Sequence, residues 1–241
     1  MRAAQPQEHI CTQLPCWRLI RLWRKALECV RTSNVWSVIS RRPELLIFTV
    51  LLSALNAPVL FGSCHSSLIF QPEAVREGEW WRLLTHPFIH LTWYHLLLDG
   101  LAFLILYHSL IEKSLLCRIM FLLAGAAGSL LCSWNHTGSG MGLCGLSGVA
   151  HGLMAVSSLE LLGRSCLENR IGIITFSLVV AKAIFEAVTG RMFFGLLEFG
   201  LLGQPVAISH AGGIIGSLFA FLMAKVCSPL SCASVWRRRD G

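Results

Sequence analysis

Residues 142–152 read GLCGLSGVAHG, and they place Ser147 at the point where a loop gives way to an apolar helix. The unpaired backbone N–H groups at a helix N-terminus favour a negative charge that develops beside them. A serine at this point is therefore suited to act as a nucleophile whose attack creates an oxyanion. The same small residues also suit plain close packing between membrane helices, which is the commoner use of such a run. The meaning of Ser147 depends on what the rest of the chain places around it.

Ser147 lies near the start of one of six long apolar segments. Of the 241 residues, 54% are hydrophobic and only 14% are charged, a composition far more apolar than that of an average soluble domain. A bilayer core about 30 Å thick requires roughly 17–20 apolar residues per spanning helix. The segments that meet this length are residues 45–62, 93–111, 116–134, 146–162, 171–188 and 206–226. The sequence therefore predicts an all-α polytopic membrane protein with six transmembrane helices.

Basic residues gather at the ends of the chain and between the apolar segments, and the formal net charge is +7. With six spans, Lys113, Arg118, Arg164 and Arg170 fall on the same side of the membrane as both termini. Positive residues mark the cytoplasmic side of a membrane protein. We therefore expect a multi-pass protein of the cell (inner) membrane with both termini in the cytoplasm. Because the charges stand where topology signals belong, the expected surroundings are a lipid bilayer and no nucleic-acid partner is expected.

Three regions follow from this pattern, namely a basic amphipathic arm over residues 1–44, a membrane domain over 45–227 and a basic cytoplasmic tail over 228–241. Within the arm, residues 16–30 interleave Trp and Leu with arginines. That pattern is typical either of a helix lying on an anionic membrane surface or of a solvated basic arm.

The chain contains ten cysteines without paired spacing, and most of them are interpreted as small apolar packing residues. Cys64, Cys132 and Cys144 fall in or near the segments predicted to lie outside the cytoplasm. A disulfide among these three remains open at this point.

Titratable side chains at membrane depth are costly and usually face an interior cavity. His95 and Asp99 are four residues apart on the second apolar segment, where the carboxylate can fix the imidazole tautomer, although a structural ion pair explains them equally well. His210 lies near the start of the sixth segment. Small residues that permit close helix packing follow it, Gly212, Gly213, Gly216 and Ser217. If the sixth helix packs on the fourth, His210 comes within reach of Ser147.

Further histidines surround these positions. His151 lies one turn beyond Ser147, where its ring either supports His210 or is simply a buried histidine bound to a carbonyl group. His86 and His90 are interpreted as anchors of the loop before the second segment. Several histidines also raise the question of zinc, but the sequence contains no HExxH pattern and no carboxylate at the usual ligand spacing. Neither a metal nor another cofactor is expected.

Residues 80–99 read WWRLLTHPFIHLTWYHLLLD. Together with GLSG around Ser147 and HxxG in the last apolar segment, this stretch resembles the rhomboid family of intramembrane proteases. The matching positions are Trp81 and Arg82 of a Trp-Arg loop, His90, His95 and Asp99 of an HxxxxHxxxN signature, Ser147, His210 and Gly213. The resemblance implies a six-transmembrane-helix rhomboid-like bundle. It also implies a serine endopeptidase that uses Ser147 and His210 as a dyad, without a third carboxylate, to cleave single-span membrane proteins.

Within the family, GLSGVAHG is most similar to the bacterial rhombosortase branch, because His151 stands where many rhomboids have Tyr. That resemblance implies substrates with a C-terminal sorting tail of the GlyGly type. The family's usual Asn is Asp99 here, and an ionised carboxylate cannot donate a hydrogen bond to an oxyanion. Either Asp99 is protonated or it serves His95. The oxyanion is then expected to be held by the Ser147 N–H, the N–H of Gly145 or Leu146, and the His95 side chain.

Two other classes of protein remain open. A non-catalytic rhomboid-like protein would use the same fold to bind client helices, but pseudoenzymes of this kind usually lack the serine or the histidine. A small transporter with a proton-relay pair would account for His95 and Asp99. It gives Ser147 and His210 no particular role, and the protease is therefore the preferred hypothesis.

Overall fold

The computed structural model describes residues 42–135, 142–191, 193 and 207–227. The chain divides into two compact units, Met1–Leu46 and Ile47–Gly241. Of the first unit, only residues 42–46 are described, and they lead into the first helix. The predicted amphipathic stretch 16–30 and the predicted tail 228–241 lie outside the described residues.

Helices make up nearly all of the regular structure in the described residues. They are α1 (Glu44–Asn56), α2 (Pro72–Arg76), α3 (Arg82–Thr85), α4 (Trp93–Ser109), α5 (Leu115–Ser133), α6 (Ser147–Glu160), α7 (Cys166–Thr189) and α8 (Ile208–Cys227). Short 3-10 turns follow α1 and α3, over Ala57–Phe61 and His86–Phe88. The described ranges contain no strand beyond one antiparallel bridge between Phe70 and Leu143. The predicted all-α class is confirmed, and each predicted span overlaps one long helix.

Four stretches within the described ranges are long and apolar enough to cross a bilayer, Glu44–Phe61, Leu115–Ser133, Cys166–Thr189 and Ile208–Cys227. A fifth results if Arg82–Phe88 and Trp93–Ser109, which are bent by 92° at their junction, form one broken span or a re-entrant loop. The protein is therefore a multi-pass membrane protein, and the count of six spans stays a prediction.

Helix α6 accounts for much of the difference between the six predicted spans and the four or five candidate spans, because it has only 14 residues. At 1.5 Å per residue it is about 21 Å long, which is less than the thickness of a bilayer core. Leu143 and Leu146, in the turn before it, are nevertheless buried. Non-helical backbone is tolerated at membrane depth where protein surrounds it, and the helix begins at Ser147 inside the fold.

Local signals set the starts of several helices. The side chains of Thr92, Ser114 and Ser165 accept hydrogen bonds from the backbone three residues further on. Ser165 and Glu168 form a complete capping box at the start of α7. Such caps satisfy N–H groups that have no partner within the helix.

Helix α8 packs closely against both α5 and α6 through glycines. A Cβ atom added at Gly212 would overlap the backbone of Gly128 on α5, and one added at Gly213 would overlap the carbonyl of Gly148 on α6. Small residues allow two helix backbones to approach this closely in a membrane. The contact between the fourth and sixth apolar segments, on which the proximity of Ser147 and His210 depends, is present.

Large apolar side chains cover the outside of the long helices. Those at least half exposed include Ile47, Val50, Leu101, Ile105, Leu116, Leu131, Ile173, Ile174, Leu178, Ile184, Ile215, Phe219 and Leu222. Exposed apolar surface on this scale marks a surface that contacts a membrane or a partner. A lipid bilayer is the setting that the fold requires.

The loop between α1 and α4 is held by side-chain contacts to its own backbone. Arg82 is buried and donates from Nη1 to the carbonyl oxygens of Ser66 and Ile69, at 2.7 and 2.6 Å. The indole N–H of Trp81 donates to the carbonyl of Ser67 at 3.0 Å. The bridge from Phe70 to Leu143 then joins this loop to the turn that precedes Ser147.

Candidate active site

Ser147 is the first residue of α6, and the turn before it is shaped by Gly145. Gly145 has a φ of +96°, in the left-handed region that favours glycine. Its backbone N–H donates to the carbonyl oxygen of His86 at 3.1 Å and is therefore already used. The N–H groups of Leu146 and Ser147 make no such loop hydrogen bond in the described residues. Of the backbone donors named from the sequence, these two are the ones left for a ligand.

His95 and Asp99 lie against that turn. A Cβ atom added at Gly145 would be 2.7 Å from His95 Nε2 and 2.9 Å from Asp99 Oδ2. His95 Nε2 is 3.1 Å from Asp99 Oδ2, and His90 Nε2 is 3.7 Å from the same oxygen. His95 and Asp99, both on α4, thus lie next to the start of α6. Asp99 is shared between two imidazoles, an arrangement in which it can orient His95.

His90 also connects this group to α1. Its backbone N–H donates to the Asn56 side-chain oxygen at 2.8 Å, and its side chain is fully buried. The Asn56 amide donates in turn to the carbonyl of Phe88 at 2.7 Å. His90 thus lies where the loop before α4 meets α1, and its role as an anchor of that loop stays a prediction.

His210 lies near the start of α8 and is only 2% exposed. Its Nδ1 is 2.6 Å from Oε2 of Glu186, a fully buried carboxylate on α7. The Lys182 ammonium lies 3.5 Å from the same nitrogen, but the carboxylate contact at 2.6 Å is much the shorter and decides the tautomer. An ionised carboxylate only accepts hydrogen bonds, so Nδ1 carries the proton and Nε2 is left with a free lone pair. Within the described residues, no hydrogen bond joins His210 to the Ser147 hydroxyl. Catalytic hydrogen bonds are often long or poorly aligned before substrate binds.

The His151 ring stacks on the His210 ring, with the centroids 3.9 Å apart and the planes inclined by 14°. Its Nδ1 donates to the carbonyl oxygen of Ser147 at 2.7 Å. Both possibilities considered from the sequence, stacking on His210 and binding to a carbonyl, are therefore realised. The two histidines and the Ser147 turn form one packed group.

Lys182 and Glu186 were not among the residues singled out from the sequence. Lys182 Nζ is 2.7 Å from Glu186 Oε1 and 2.9 Å from His151 Nε2. The sequence could have drawn attention to them, because two opposite charges four residues apart in an apolar segment are usually paired or functional at membrane depth. The contact from Glu186 to His210, across 24 positions of the chain, had no signal in local spacing.

Ser217, one of the small residues that follow His210, is accommodated between three helices. It is fully buried on α8, and its hydroxyl donates to the carbonyl of Phe121 on α5 at 2.9 Å. Gly125 and Gly152 face it, and a side chain at either would overlap its oxygen. The small neighbours make room for the extra hydroxymethyl group, so close packing is preserved.

Two groups in the described part of the chain bring three possible metal ligands within 4.8 Å of one another, His90 with His95 and Asp99, and His151 with Glu186 and His210. In the second group, the ammonium of Lys182 is already 2.9 Å from His151 Nε2 and 2.7 Å from a Glu186 oxygen. A lysine ammonium thus serves there as the internal cation. In the first group, His90 Nε2 is buried without a hydrogen-bond partner in the described residues, and the 3.1 Å contact of Asp99 Oδ2 with His95 Nε2 is close but not aligned as a hydrogen bond.

Fold and site together define a multi-pass helical membrane protein with serine, histidine and carboxylate side chains gathered where α6 begins. The sequence model of the Rhomboid domain matches residues 77–230, which is more than half of the chain. The chain belongs to the rhomboid family, whose members are generally intramembrane serine proteases. The matched range includes Ser147, His210, Lys182 and Glu186. No curated protein and no solved structure matches the chain.

Proposed function

We propose that the protein is an intramembrane serine endopeptidase, with Ser147 as nucleophile and His210 as general base. The observation that carries the proposal is the hydrogen bond from His210 Nδ1 to Glu186, which leaves Nε2 as the basic nitrogen. The close contact of Gly148 with Gly213 brings the helix of that base to the first turn of α6. A nucleophile with an adjacent, oriented base is the arrangement that acyl transfer requires.

The reaction proceeds by acyl transfer through Ser147. Its oxygen attacks the scissile carbonyl carbon while His210 Nε2 accepts the hydroxyl proton. When the C–N bond breaks, the same proton passes to the leaving amine, and the acyl group stays on Ser147 as an ester. Water then attacks the ester, gives a proton to His210 and releases the carboxylic acid, after which the proton returns to Ser147.

The negative charge on the carbonyl oxygen is stabilised at the start of α6. The N–H groups of Leu146 and Ser147 lie at a helix N-terminus, where negative charge is favoured. His95 supplies a side-chain donor from Nε2, and the Asp99 carboxylate, 3.1 Å from that nitrogen, favours the proton there. Gly145 is not an oxyanion donor in this arrangement, because its N–H is bound to the His86 carbonyl. It supports the site instead, since the absence of a side chain leaves room for His95 and Asp99.

The substrates are single-span membrane proteins that reach Ser147 from the bilayer. A regular helix hides its scissile carbonyl in an intrahelical hydrogen bond, so the substrate must unwind locally. Glycine lowers the cost of unwinding, which agrees with a C-terminal GlyGly-type sorting tail of the kind associated with the rhombosortase branch. The enzyme lies in the cell (inner) membrane with both termini in the cytoplasm.

The test is cleavage, in reconstituted membranes, of a reporter with a glycine-rich transmembrane tail and of a panel of other rhomboid substrates. The native chain is compared with Ser147→Ala and His210→Ala, and labelling by a fluorophosphonate probe is measured beside cleavage. Both variants are expected to lose cleavage, and Ser147→Ala to lose labelling as well. A native chain that neither cleaves nor labels, and so resembles Ser147→Ala, supports instead a non-catalytic protein that binds client helices.

A further inference from the structure

We propose that Glu186 is the positioning residue of the His210 base, and that Lys182 holds Glu186 in place as an internal counter-ion. The site would then act as Ser147, His210 and Glu186 together rather than as a two-residue dyad. The inference rests on the proposed protease function and goes beyond it by assigning roles to two residues of α7.

The contact between Glu186 and His210 is short and fully enclosed. At 2.6 Å it is slightly shorter than a usual charge-assisted N–H···O hydrogen bond, and the Glu186 side chain has no exposure to solvent. A carboxylate in this place selects the tautomer with the proton on Nδ1. It also stabilises the imidazolium that forms when His210 accepts the Ser147 proton.

Glu186 has little freedom to turn away from His210. Its Oε1 accepts the backbone N–H of Phe193 at 3.0 Å and lies 2.7 Å from Lys182 Nζ, while Oε2 accepts from His210 and Lys182. A carboxylate with both oxygens engaged can hold an imidazole in a single orientation. Because Lys182 neutralises Glu186, the buried group is an ion pair rather than an isolated charge.

Lys182 also fixes the second histidine. An ammonium group can only donate, so its 2.9 Å contact with His151 Nε2 makes that nitrogen an acceptor and places the ring proton on Nδ1. That proton is donated to the Ser147 carbonyl oxygen at 2.7 Å. Hydrogen bonds therefore run without interruption from the Ser147 backbone through His151, Lys182 and Glu186 to His210. The stacked rings of His151 and His210 lie inside this series, which joins α6, α7 and α8.

The role is tested with Glu186→Gln, whose amide has nearly the same shape but carries no charge. The amide can also donate to Nδ1, which would move the ring proton to Nε2 and remove the base. We expect kcat to fall about 10²- to 10⁴-fold with little change in KM. The fluorophosphonate labelling rate of Ser147 should fall with it. Glu168→Gln, on the same helix but exposed and engaged in the Ser165 cap, is the matched control and should keep native kcat.

A second variant separates catalysis from folding, because Glu186→Gln leaves the Lys182 charge in place. Lys182→Met with Glu186→Gln removes both charges and should show the same loss of kcat with a native-like thermal unfolding transition. If either variant folds like the native protein and retains kcat within about threefold, Glu186 is only structural and the inference is overturned. In that event Ser147→Ala and His210→Ala would still be inactive, so the proposed protease function would stand.

Discussion

Gly145 controls the surroundings of Ser147 in two ways, through its left-handed backbone and through its missing side chain. The backbone turns the chain so that its N–H meets the His86 carbonyl. The absence of Cβ leaves the space into which His95 and Asp99 fit. Two separate physical requirements therefore meet at a single residue.

Gly145→Ala is expected to lower kcat by at least about tenfold, because the new methyl group would displace His95 from the position in which we propose that it binds the oxyanion. The matched control is Gly78→Ala. Gly78 has a φ of +108°, but a methyl group added there would have no atom within 4 Å, so the variant carries the same kind of backbone strain without the contact. Activity measured at equal protein levels should fall in the first variant only. Equal activity losses in both would attribute the effect to backbone strain.

Cys144, beside Gly145, is expected to be chemically inert in the folded protein. Burial, together with the nearby Asp99 carboxylate, raises the pKa of its thiol to about 12. The reactive species is the thiolate, so the thiol stays protonated and unreactive at mildly alkaline pH. Maleimide labelling at about pH 8.5, the pKa of a free thiol, should modify the exposed Cys166 and spare Cys144 until the protein is unfolded. Rapid labelling of Cys144 in the folded state would contradict this.

At the scale of helices, α8 is the element on which the site is assembled. Its glycines press against α5 on one side and α6 on the other, and His210 is carried between them. The apolar faces of α6 and α7 meet the same helix through Ala155, Val179, Ala183 and Ile214. Within the described residues, helix α7 supplies the charged side chains that contact His210, namely Lys182 and Glu186.

Gly213→Ala is expected to destabilise the protein by about 1–3 kcal/mol, because its methyl group would overlap the Gly148 carbonyl and backbone cannot move aside cheaply. Gly100→Ala on α4 is the control. Its Cβ would meet only Leu96 Cδ1 at 3.9 Å, so the variant should be neutral or more stable by up to about 1 kcal/mol. Thermal unfolding in detergent measures both. Equal stability of the two variants would show that α6 and α8 are not pressed together at this glycine.

Lys182→Met is expected to cost about 3–5 kcal/mol, because it leaves the fully buried Glu186 without its counter-ion. Adding Glu186→Gln should recover much of that loss, since no unpaired charge then remains. Lys225→Met, near the end of α8, removes an ammonium that lies over the Phe221 ring and interacts with the only partly buried Glu160, and it should change stability by less than about 1 kcal/mol. Chemical denaturation of the three variants in detergent gives the comparison. A double variant less stable than Lys182→Met would argue against the ion pair.

At the scale of the whole molecule, the number of membrane crossings depends on α4 and α6. The six long helices occupy the six predicted segments, yet α6 has only 14 residues and α4 follows a sharp bend. The topology depends on whether the short helix α6 crosses the bilayer. If it does, its end and the loop before it lie on opposite sides of the membrane.

Two native cysteines report on this directly. Cys64 follows α1 and Cys166 begins α7, with α4, α5 and α6 between them. If all three helices cross, the two thiols lie on opposite sides of the membrane. In variants in which Cys64 or Cys166 is the only cysteine that remains, an impermeant maleimide should label Cys64 in intact cells and Cys166 only after lysis. Labelling of both from outside would mean an even number of crossings between them and would overturn the six-span prediction.

Much of the architecture was determined by the sequence alone, because hydropathy and helix signals are local. Apolar runs located the six helices to within about six residues at each end. The Ser and Thr caps of α4, α5 and α7 are local signals too, but they were identified in the structure. Small residues after His210 indicated that the last helix packs closely against a neighbour, and in the structure α8 meets α6 there. Local patterns could also name four neighbours of the site. His90, His95 and Asp99 belong to the stretch that resembles HxxxxHxxxN, and His151 belongs to the GLSGVAHG stretch around Ser147.

Only the tertiary structure decided how the polar groups are paired. Glu186 reaches His210 from another helix, Gly145 uses its N–H on His86, and Lys182 joins His151 to Glu186. Apart from the pair Lys182 and Glu186 on one helix, these contacts connect residues that are distant in the chain. Helix propensity and hydropathy state that a segment is helical and apolar, but the rotation of a helix about its axis depends on how its small residues fit against its neighbours. The rotation of α7 about its axis places Lys182 and Glu186 against His151 and His210.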